Sequence, residues 1–199
     1  MLANIQSTSS NRRIFVVLSI CLFFLTCCRE YGLREPKYDL KIEEVLKRKN
    51  NFRIKTKHLN GKPRRIIVER RFSVRTIKFY KYSEWFWSKD GRLERLVPSG
   101  VTWIQGIPCR ERTYVFFHRN GNLSKCLIGI EKWKFGRFTS DDKMTIAFYP
   151  NGQLRMLMLA SASPYVKNGI EYAVVRFTDE GTFLPDRPRR FSHEIRKIE

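Results

Sequence analysis

The sequence predicts an all-β fold, a repetitive antiparallel β-meander of hairpin repeats. A short motif with a glycine at its centre recurs at Gly91, Gly121, Gly152 and Gly181, and these glycines are 30, 31 and 29 residues apart. A fixed period of this size is typical of repeat architectures. Aromatic residues make up 14% of the chain, and that content favours strands over helices.

Each repeat has the pattern of a strand, a turn and a returning strand. Apolar residues stand six and four positions before each glycine and again two positions after it. They are Trp85, Trp87 and Leu93, then Val115, Phe117 and Leu123, then Ile146, Phe148 and Leu154, then Val175, Phe177 and Phe183. Residues two apart lie on one face of a strand. Three of the four turns carry Asp-Gly or Asn-Gly, which tolerate a positive φ, and the fourth carries Glu-Gly.

A second half-repeat follows each of the first three turns. The aromatic residues Trp103, Trp133 and Tyr165 follow their glycines at an almost constant spacing, and Gly106, Gly136 and Gly169 come soon after them. We expect a second turn there, with two strands per unit. One unit alone cannot bury its aromatic face, so neighbouring units stack to complete a core.

Upstream of these repeats the pattern weakens. Asn60-Gly61 is a good turn dipeptide one repeat period before Gly91, but Lys55, Lys57 and Pro63 replace the apolar residues of later units. We interpret this stretch as a degenerate opening unit or as a coincidence, and not as a true copy of the repeat.

The N-terminus has the composition of an export signal. Arg12 and Arg13 precede an apolar run over residues 14–28, which as a helix spans roughly 22 Å. That length is short of the ~30 Å hydrocarbon core of a bilayer. The run is therefore predicted to be the apolar helix of a secretory signal.

The end of this run resembles a bacterial lipoprotein signal, with the residues Leu25-Thr26-Cys27-Cys28. The resemblance implies cleavage before Cys28 and acylation of that cysteine with palmitate-type chains, with Cys27 as the second choice. Such a protein is anchored to a membrane of the cell envelope, in the periplasm or at the surface. An ordinary secretory signal and an uncleaved signal anchor remain as alternatives.

The chain is long enough for one domain or one short repeat array. We predict a signal peptide over 1–27, a charged tether or short helix over 28–50, an opening β-unit over 51–84, four repeats over 85–184, and a basic tail over 185–199. A helix is expected within 39–48, where Glu43 and Glu44 precede Lys47 and Arg48 at a favourable spacing.

The segments 117–123 and 148–154, together with 104–109, resemble a variant MORN repeat of bacterial antitoxin-like repeat proteins and spirochaete lipoproteins. The likeness extends over about residues 85–183. It implies an elongated β-sheet on a lipid-anchored protein, and the family has no catalytic residues that would map onto this chain.

The chain is strongly basic, with 39 Lys and Arg against 19 Asp and Glu. Removal of residues 1–27 takes away two arginines and no acids, which leaves a net charge of 37 − 19 = +18. Such a charge favours binding to anionic lipid or to another polyanion, and a protein partner is also possible. Nucleic acid is not an expected partner of an exported protein. A solvated surface without a ligand is the alternative.

Few residues suggest chemistry. Cys109 and Cys126 are predicted to form a disulfide after export or to be two small buried residues. His118 is expected to be an exposed turn residue, and His58 and His193 to be solvated. The paired acids Asp141-Asp142 and Asp179-Glu180 are expected to be solvated turn residues.

The sequence therefore predicts a non-enzymatic scaffold with no metal and no cofactor. A secreted soluble binding protein is one alternative. A cysteine-dependent enzyme that uses Cys109 or Cys126 with His118 is the other.

Overall fold

A computed structural model describes residues 32–33, 37–136, 138–140, 144–159, 165–167 and 170–184. The signal segment with Cys27 and Cys28, the acids Asp141 and Asp142, and the tail from residue 185 with His193 lie outside the described residues. Within those ranges no helix combines the length and apolar character needed to span a membrane.

The described chain has one α-helix, α1 (Ile42–Leu46), a 3-10 turn over Lys49–Asn51, and 18 strands. In chain order the strands are β1 (Phe52–Lys57), β2 (Pro63–Val68), β3 (Phe72–Val74), β4 (Ile77–Phe79), β5 (Glu84–Trp87), β6 (Leu93–Val97), β7 (Thr102–Ile104), β8 (Ile107–Cys109), β9 (Val115–Phe117), β10 (Leu123–Leu127), β11 (Lys134–Phe135), β12 (Phe138–Thr139), β13 (Thr145–Phe148), β14 (Leu154–Met158), β15 (Tyr165–Lys167), β16 (Ile170–Tyr172), β17 (Val174–Phe177) and β18 (Phe183–Leu184).

Ten of these strands form one antiparallel sheet, which we call the main sheet. Its order is β1-β2-β5-β6-β9-β10-β13-β14-β17-β18, so consecutive hairpins lie side by side without a crossover. The predicted fold class, an antiparallel meander of hairpin repeats, is confirmed. The predicted repeat period therefore corresponds to one hairpin of this sheet plus its connection to the next.

Those connections are themselves structured. Between consecutive hairpins of the main sheet lie the two-stranded sheets β3-β4, β7-β8, β11-β12 and β15-β16, which we call the short hairpins. The expectation of two strands per unit is therefore wrong, because each connection contributes two further strands. Gln105 and Gly106 both have positive φ, +50° and +84°, as a tight turn between such short strands requires.

The core lies between the main sheet and the short hairpins. Trp85 and Trp87 of β5 are fully buried, as are Ile104 and Ile107 of the hairpin β7-β8. Phe79 of β4 stacks on Trp85 with ring centroids 4.0 Å apart. One face of the main sheet is thus covered by the short hairpins, and the side chains of alternate residues point to the opposite face.

The five turns of the main sheet share one geometry. At Gly121 the amide of His118 donates to the Asn122 carbonyl (2.8 Å), and the amide of Gly121 donates to the His118 carbonyl (2.9 Å). The same pair of bonds closes the turns at Gly61, Gly91, Gly152 and Gly181, and all five glycines have positive φ between +78° and +89°.

The Gly61 turn is therefore a true copy of the repeat, contrary to our interpretation of the sequence. The apolar pattern fails there for a physical reason. Strand β1 is the edge of the sheet and is exposed along most of its length. Lysines on an edge strand oppose pairing with another chain, so Lys55 and Lys57 are suited to that position.

A segment near the N-terminus crosses the turns of the main sheet, from one repeat to the next. The amides of Leu33, Tyr38 and Ile42 donate to the carbonyls of Gly152 (3.0 Å), Gly121 (2.8 Å) and Gly91 (2.8 Å). Within residues 37–46, the crossing segment, the buried side chains are Tyr38, Leu40, Ile42 and Val45. The short helix expected within 39–48 is present as α1 (Ile42–Leu46). The alternative of a charged tether does not hold for the crossing segment, because its apolar side chains belong to the core.

Tyr38 makes the fold sensitive to alkali. Burial raises the pKa of Tyr38 to about 12, and the neighbouring ionisable groups of Cys109 and Tyr80 contribute to the rise. A raised phenol pKa contributes stability that is complete below the unfolded value of about 10 and is lost as the pH rises through about 12. We expect the free energy of unfolding to fall over that interval, and to fall less steeply in Tyr38→Phe. Denaturant titrations at stepped pH check this, and identical pH slopes in the two proteins would contradict it.

Candidate functional site

The face of the main sheet opposite the short hairpins carries one continuous row of directly opposed side chains, which we call the outer row. Its residues, in the order of the strands from β2 to β18, are Arg65, Phe86, Arg95, Phe116, Lys125, Ala147, Met156, Arg176 and Leu184. The repeat produces this row, because most of its members stand five positions before or four positions after a turn glycine.

The first part of the outer row is a stack of cations and aromatic rings. The Arg95 guanidinium carbon lies 4.4 Å from the centre of the Phe86 ring and 5.0 Å from that of Tyr114. The Arg65 guanidinium carbon lies 5.4 Å from the centre of the same Phe86 ring. Such contacts hold a guanidinium in place without neutralising its charge. They also explain why Phe86, on the open face, is only 8% exposed.

The charge of this row is only partly compensated. Arg65 forms an ion pair with Glu84, with Nη2 and Oε2 2.6 Å apart. Among the residues the structure describes, Arg95 and Lys125 form no ion pair. A surface with uncompensated charge of one sign attracts ligands of the opposite sign. The row therefore presents fixed positive charge to an anion that approaches this face.

Beyond Lys125 the outer row contains a hollow of about 500 Å³ above Ala147. Two other units have phenylalanine at the position of Ala147, namely Phe86 and Phe116. The smaller side chain of Ala147 leaves this space open. The lining includes Lys125, Ala147, Tyr149, Arg155, Met156 and Arg176, and no acidic residue of the described chain belongs to it. Cations around an apolar floor fit an anionic ligand that also has apolar surface.

A ladder of side chains along the turns joins each repeat to the next. His58 Nε2–H donates to the Trp87 carbonyl (2.8 Å), and His118 Nε2–H donates to the Phe148 carbonyl (2.9 Å). A carbonyl only accepts, so Nε2 carries the proton in both rings. The expectations that His58 is solvated and that His118 is an exposed turn residue are wrong. Both rings are half-buried and have a structural role.

We expect His118→Ala to lower the free energy of unfolding by roughly 1–2 kcal/mol, because the buried Phe148 carbonyl loses its donor. Tyr149, one unit further on, occupies the equivalent position and donates from its hydroxyl to the Phe177 carbonyl (2.9 Å). His118→Tyr should therefore keep most of the stability. Chemical denaturation of the three proteins checks this, and equal losses in both variants would show that the ladder does not stabilise the fold.

The structure brings Cys109 and Cys126 together as buried free thiols. Burial raises the pKa of the Cys109 thiol well above its ordinary value, and a hydrogen bond with Cys126 raises it further. A protonated, buried thiol is a poor nucleophile and a poor metal ligand. The disulfide stays a prediction. Within the described ranges no group of three or more His, Cys, Asp or Glu side chains is arranged to hold a metal ion.

Fold and surface together define a β-hairpin repeat protein whose main sheet has one buried face and one basic, partly aromatic face. No protein-family model, curated protein or solved structure matches the chain. Its function is therefore inferred from the charge and geometry of the outer row.

Proposed function

We propose that this chain is a lipid-anchored protein of the cell envelope and a non-enzymatic scaffold that binds a polyanion through the outer row. The observation that carries the proposal is the row itself. Arg95 lies over the rings of Phe86 and Tyr114, Lys125 follows two strands further on, and neither has an anionic partner among the described residues. A row of cations on one sheet, in which Arg65 and Arg95 are held by aromatic rings, loses less side-chain freedom when it binds a polyanion.

The lipid anchor is supported by the residues Leu25-Thr26-Cys27-Cys28 and by the likeness to MORN-variant repeats of spirochaete lipoproteins. Leu33, five positions after Cys28, contacts the Gly152 turn. At about 3.5 Å per residue, that stretch spans at most about 18 Å. An acylated Cys28 would thus keep the turns of the main sheet close to the membrane.

Mass analysis of the mature N-terminus tests the anchor. We expect a chain that starts at an acylated Cys28 and partitions into the detergent phase of a phase separation. A chain that starts at Cys28 without lipid and stays in the aqueous phase would favour the secreted soluble alternative. Full-length, unlipidated protein in the cytosol would exclude both.

Salt dependence tests polyanion binding. We expect the protein, purified in detergent, to bind a heparin resin at low salt. Retention should fall steadily between about 0.01 M and about 1 M salt, where the screening length falls from about 30 Å to about 3 Å. An absence of binding at the lowest salt, or retention that does not change with salt, would contradict the proposed function.

A further inference from the structure

We infer that the outer row binds a linear sulfated polysaccharide, with one sulfated sugar seated in the hollow above Ala147. The inference rests on the proposed polyanion-binding function and assigns to it a ligand class and a specific position. It follows from the spacing of the cations, from the shape of the hollow and from the chemistry of its lining.

The cations recur with the period of the repeat. Arg65, Arg95 and Lys125, each four residues after a turn glycine, lie on β2, β6 and β10, which are alternate strands of the main sheet. In the next unit Met156 stands at that position on β14, and Arg155, one residue before it, lines the hollow. Neighbouring strands are about 4.8 Å apart, so successive cations are about 10 Å apart across the sheet. A polysaccharide with one sulfated sugar in every disaccharide presents its charges at a similar interval, because one pyranose ring spans about one strand spacing.

The hollow provides a place for one ring of such a polymer. Lys125 and Arg155 flank it, while Tyr149 and Met156 supply apolar surface. The Arg155 guanidinium is held 5.8 Å from the centre of the Tyr149 ring. The apolar surface suits the face of a sugar, and the two cations can donate charge-assisted hydrogen bonds to its sulfate groups. Ala147 belongs to the lining, so its methyl group forms part of the floor of the hollow.

This arrangement favours a linear polymer over an anionic membrane. Arg65, Arg95 and Lys125 lie in a single line, and the Phe86 ring between the two arginines is covered by their guanidinium groups. A bilayer surface would contact the whole face and would gain little from a single hollow of about 500 Å³. A polymer that follows the line meets each cation in turn and fills the hollow.

The variant Ala147→Phe tests the position of the site, because it fills the hollow and leaves every charge in place. The repeat itself accepts phenylalanine here, as Phe86 and Phe116 show. Ser73→Phe is the matched control, since it adds the same ring to an exposed position on the short hairpin β3-β4. If Ala147→Phe loses the native circular dichroism spectrum, Lys125→Gln replaces it with the same expected result.

The full chain, purified in detergent and diluted below the micelle concentration, is titrated with size-fractionated heparin oligosaccharides and, separately, with vesicles of anionic phospholipid. Vesicle binding is measured as the excess over vesicles of neutral phospholipid, because the acyl anchor inserts into both. We expect Ala147→Phe to weaken oligosaccharide binding by about tenfold, equivalent to about 1.4 kcal/mol, and Ser73→Phe to leave it unchanged. Affinity should increase with oligosaccharide length, and the vesicles should bind more weakly than the long oligosaccharides.

Three results would overturn the inference, and they are distinguishable. If the unaltered chain binds neither probe at low salt, the proposed function fails together with the inference. If oligosaccharides bind equally to Ala147→Phe and Ser73→Phe, polyanion binding stands and the hollow is not its site. If vesicles bind more tightly than the oligosaccharides and displace them, the ligand is an anionic membrane and the assignment to a polysaccharide is wrong.

Discussion

Replacement of Gly121 by alanine is expected to lower the free energy of unfolding by about 3–5 kcal/mol, a loss in the range that only a few mechanisms produce. Gly121 has φ +83°, a conformation that costs a non-glycine residue about 1–2 kcal/mol. The added methyl group would also overlap the backbone nitrogen of Asp39 and approach the carbonyl carbon of Tyr38 to 2.6 Å. A backbone cannot rotate away as a flexible side chain can, so the crossing segment must move.

Gly61→Ala separates the cost of the left-handed backbone from the cost of the overlap with the crossing segment. Gly61 has φ +78° in the same kind of turn, but a methyl group there would meet nothing within 4 Å. We expect this control to lose only about 1–2 kcal/mol, the cost of the left-handed backbone alone. Denaturant unfolding measures both variants, and limited proteolysis should cut residues 37–46 faster in Gly121→Ala. Equal losses in the two variants would mean that the crossing segment does not pack on the turns.

The second large effect is expected at Trp85, which is 2% exposed at the centre of the core. Trp85→Ala removes the ring that stacks on Phe79 and deprives the buried hydroxyl of Ser83 of its Nε1 donor, which lies 2.9 Å away. Deletion of a buried tryptophan side chain costs about 3–5 kcal/mol. We expect the variant to be partly or fully unfolded at physiological temperature. Near-ultraviolet circular dichroism and thermal unfolding measure this.

Trp103→Ala is the matched control. Trp103 is one of the recurrent aromatic residues that predicted the second half-repeat, but in the structure it is 55% exposed on β7. Removal of this ring should change the free energy of unfolding by less than about 1 kcal/mol. If the two tryptophan variants were destabilised equally, the core would not lie between the main sheet and the short hairpins as described.

The hairpins of the main sheet were predictable because their chemistry is local. An Asp-Gly or Asn-Gly turn, with apolar residues two apart on either side, specifies both the turn and the buried face. The short hairpins are less visible, since strands of two or three residues are too short to show alternation. Their turns also depend on non-glycine residues with positive φ, such as Arg75 and Gln105, and the sequence does not mark these.

The helix α1 was expected, but the packing of the crossing segment on the turns was missed, and for a different reason. Its contacts with Gly91 and Gly121 are made by backbone groups, which leave no side-chain signature. One signal was present, because Tyr38, Leu40 and Ile42 alternate with other residues as in a half-buried strand. The charged residues between them favoured a tether or a short helix, and neither prediction placed this segment across the turns.

The outer row lay within the repeat and was overlooked. The positions of Phe86 and Arg95 relative to Gly91 recur at Phe116 and Lys125 relative to Gly121. Only the strand register shows that these residues are direct neighbours across the sheet. The free volume above Ala147 depends on that register as well, so the basic charge was predictable and its arrangement was not.

The most direct test of the central claim compares two double variants of equal charge for binding to heparin at low salt. Arg95→Gln with Lys125→Gln removes two cations from the outer row, whereas Lys78→Gln with Lys134→Gln removes two exposed cations from the short hairpins. We predict that the first pair weakens binding by about tenfold or more and that the second pair changes it little. Equal weakening by both pairs would show that net charge alone, and not the outer row, binds the polyanion.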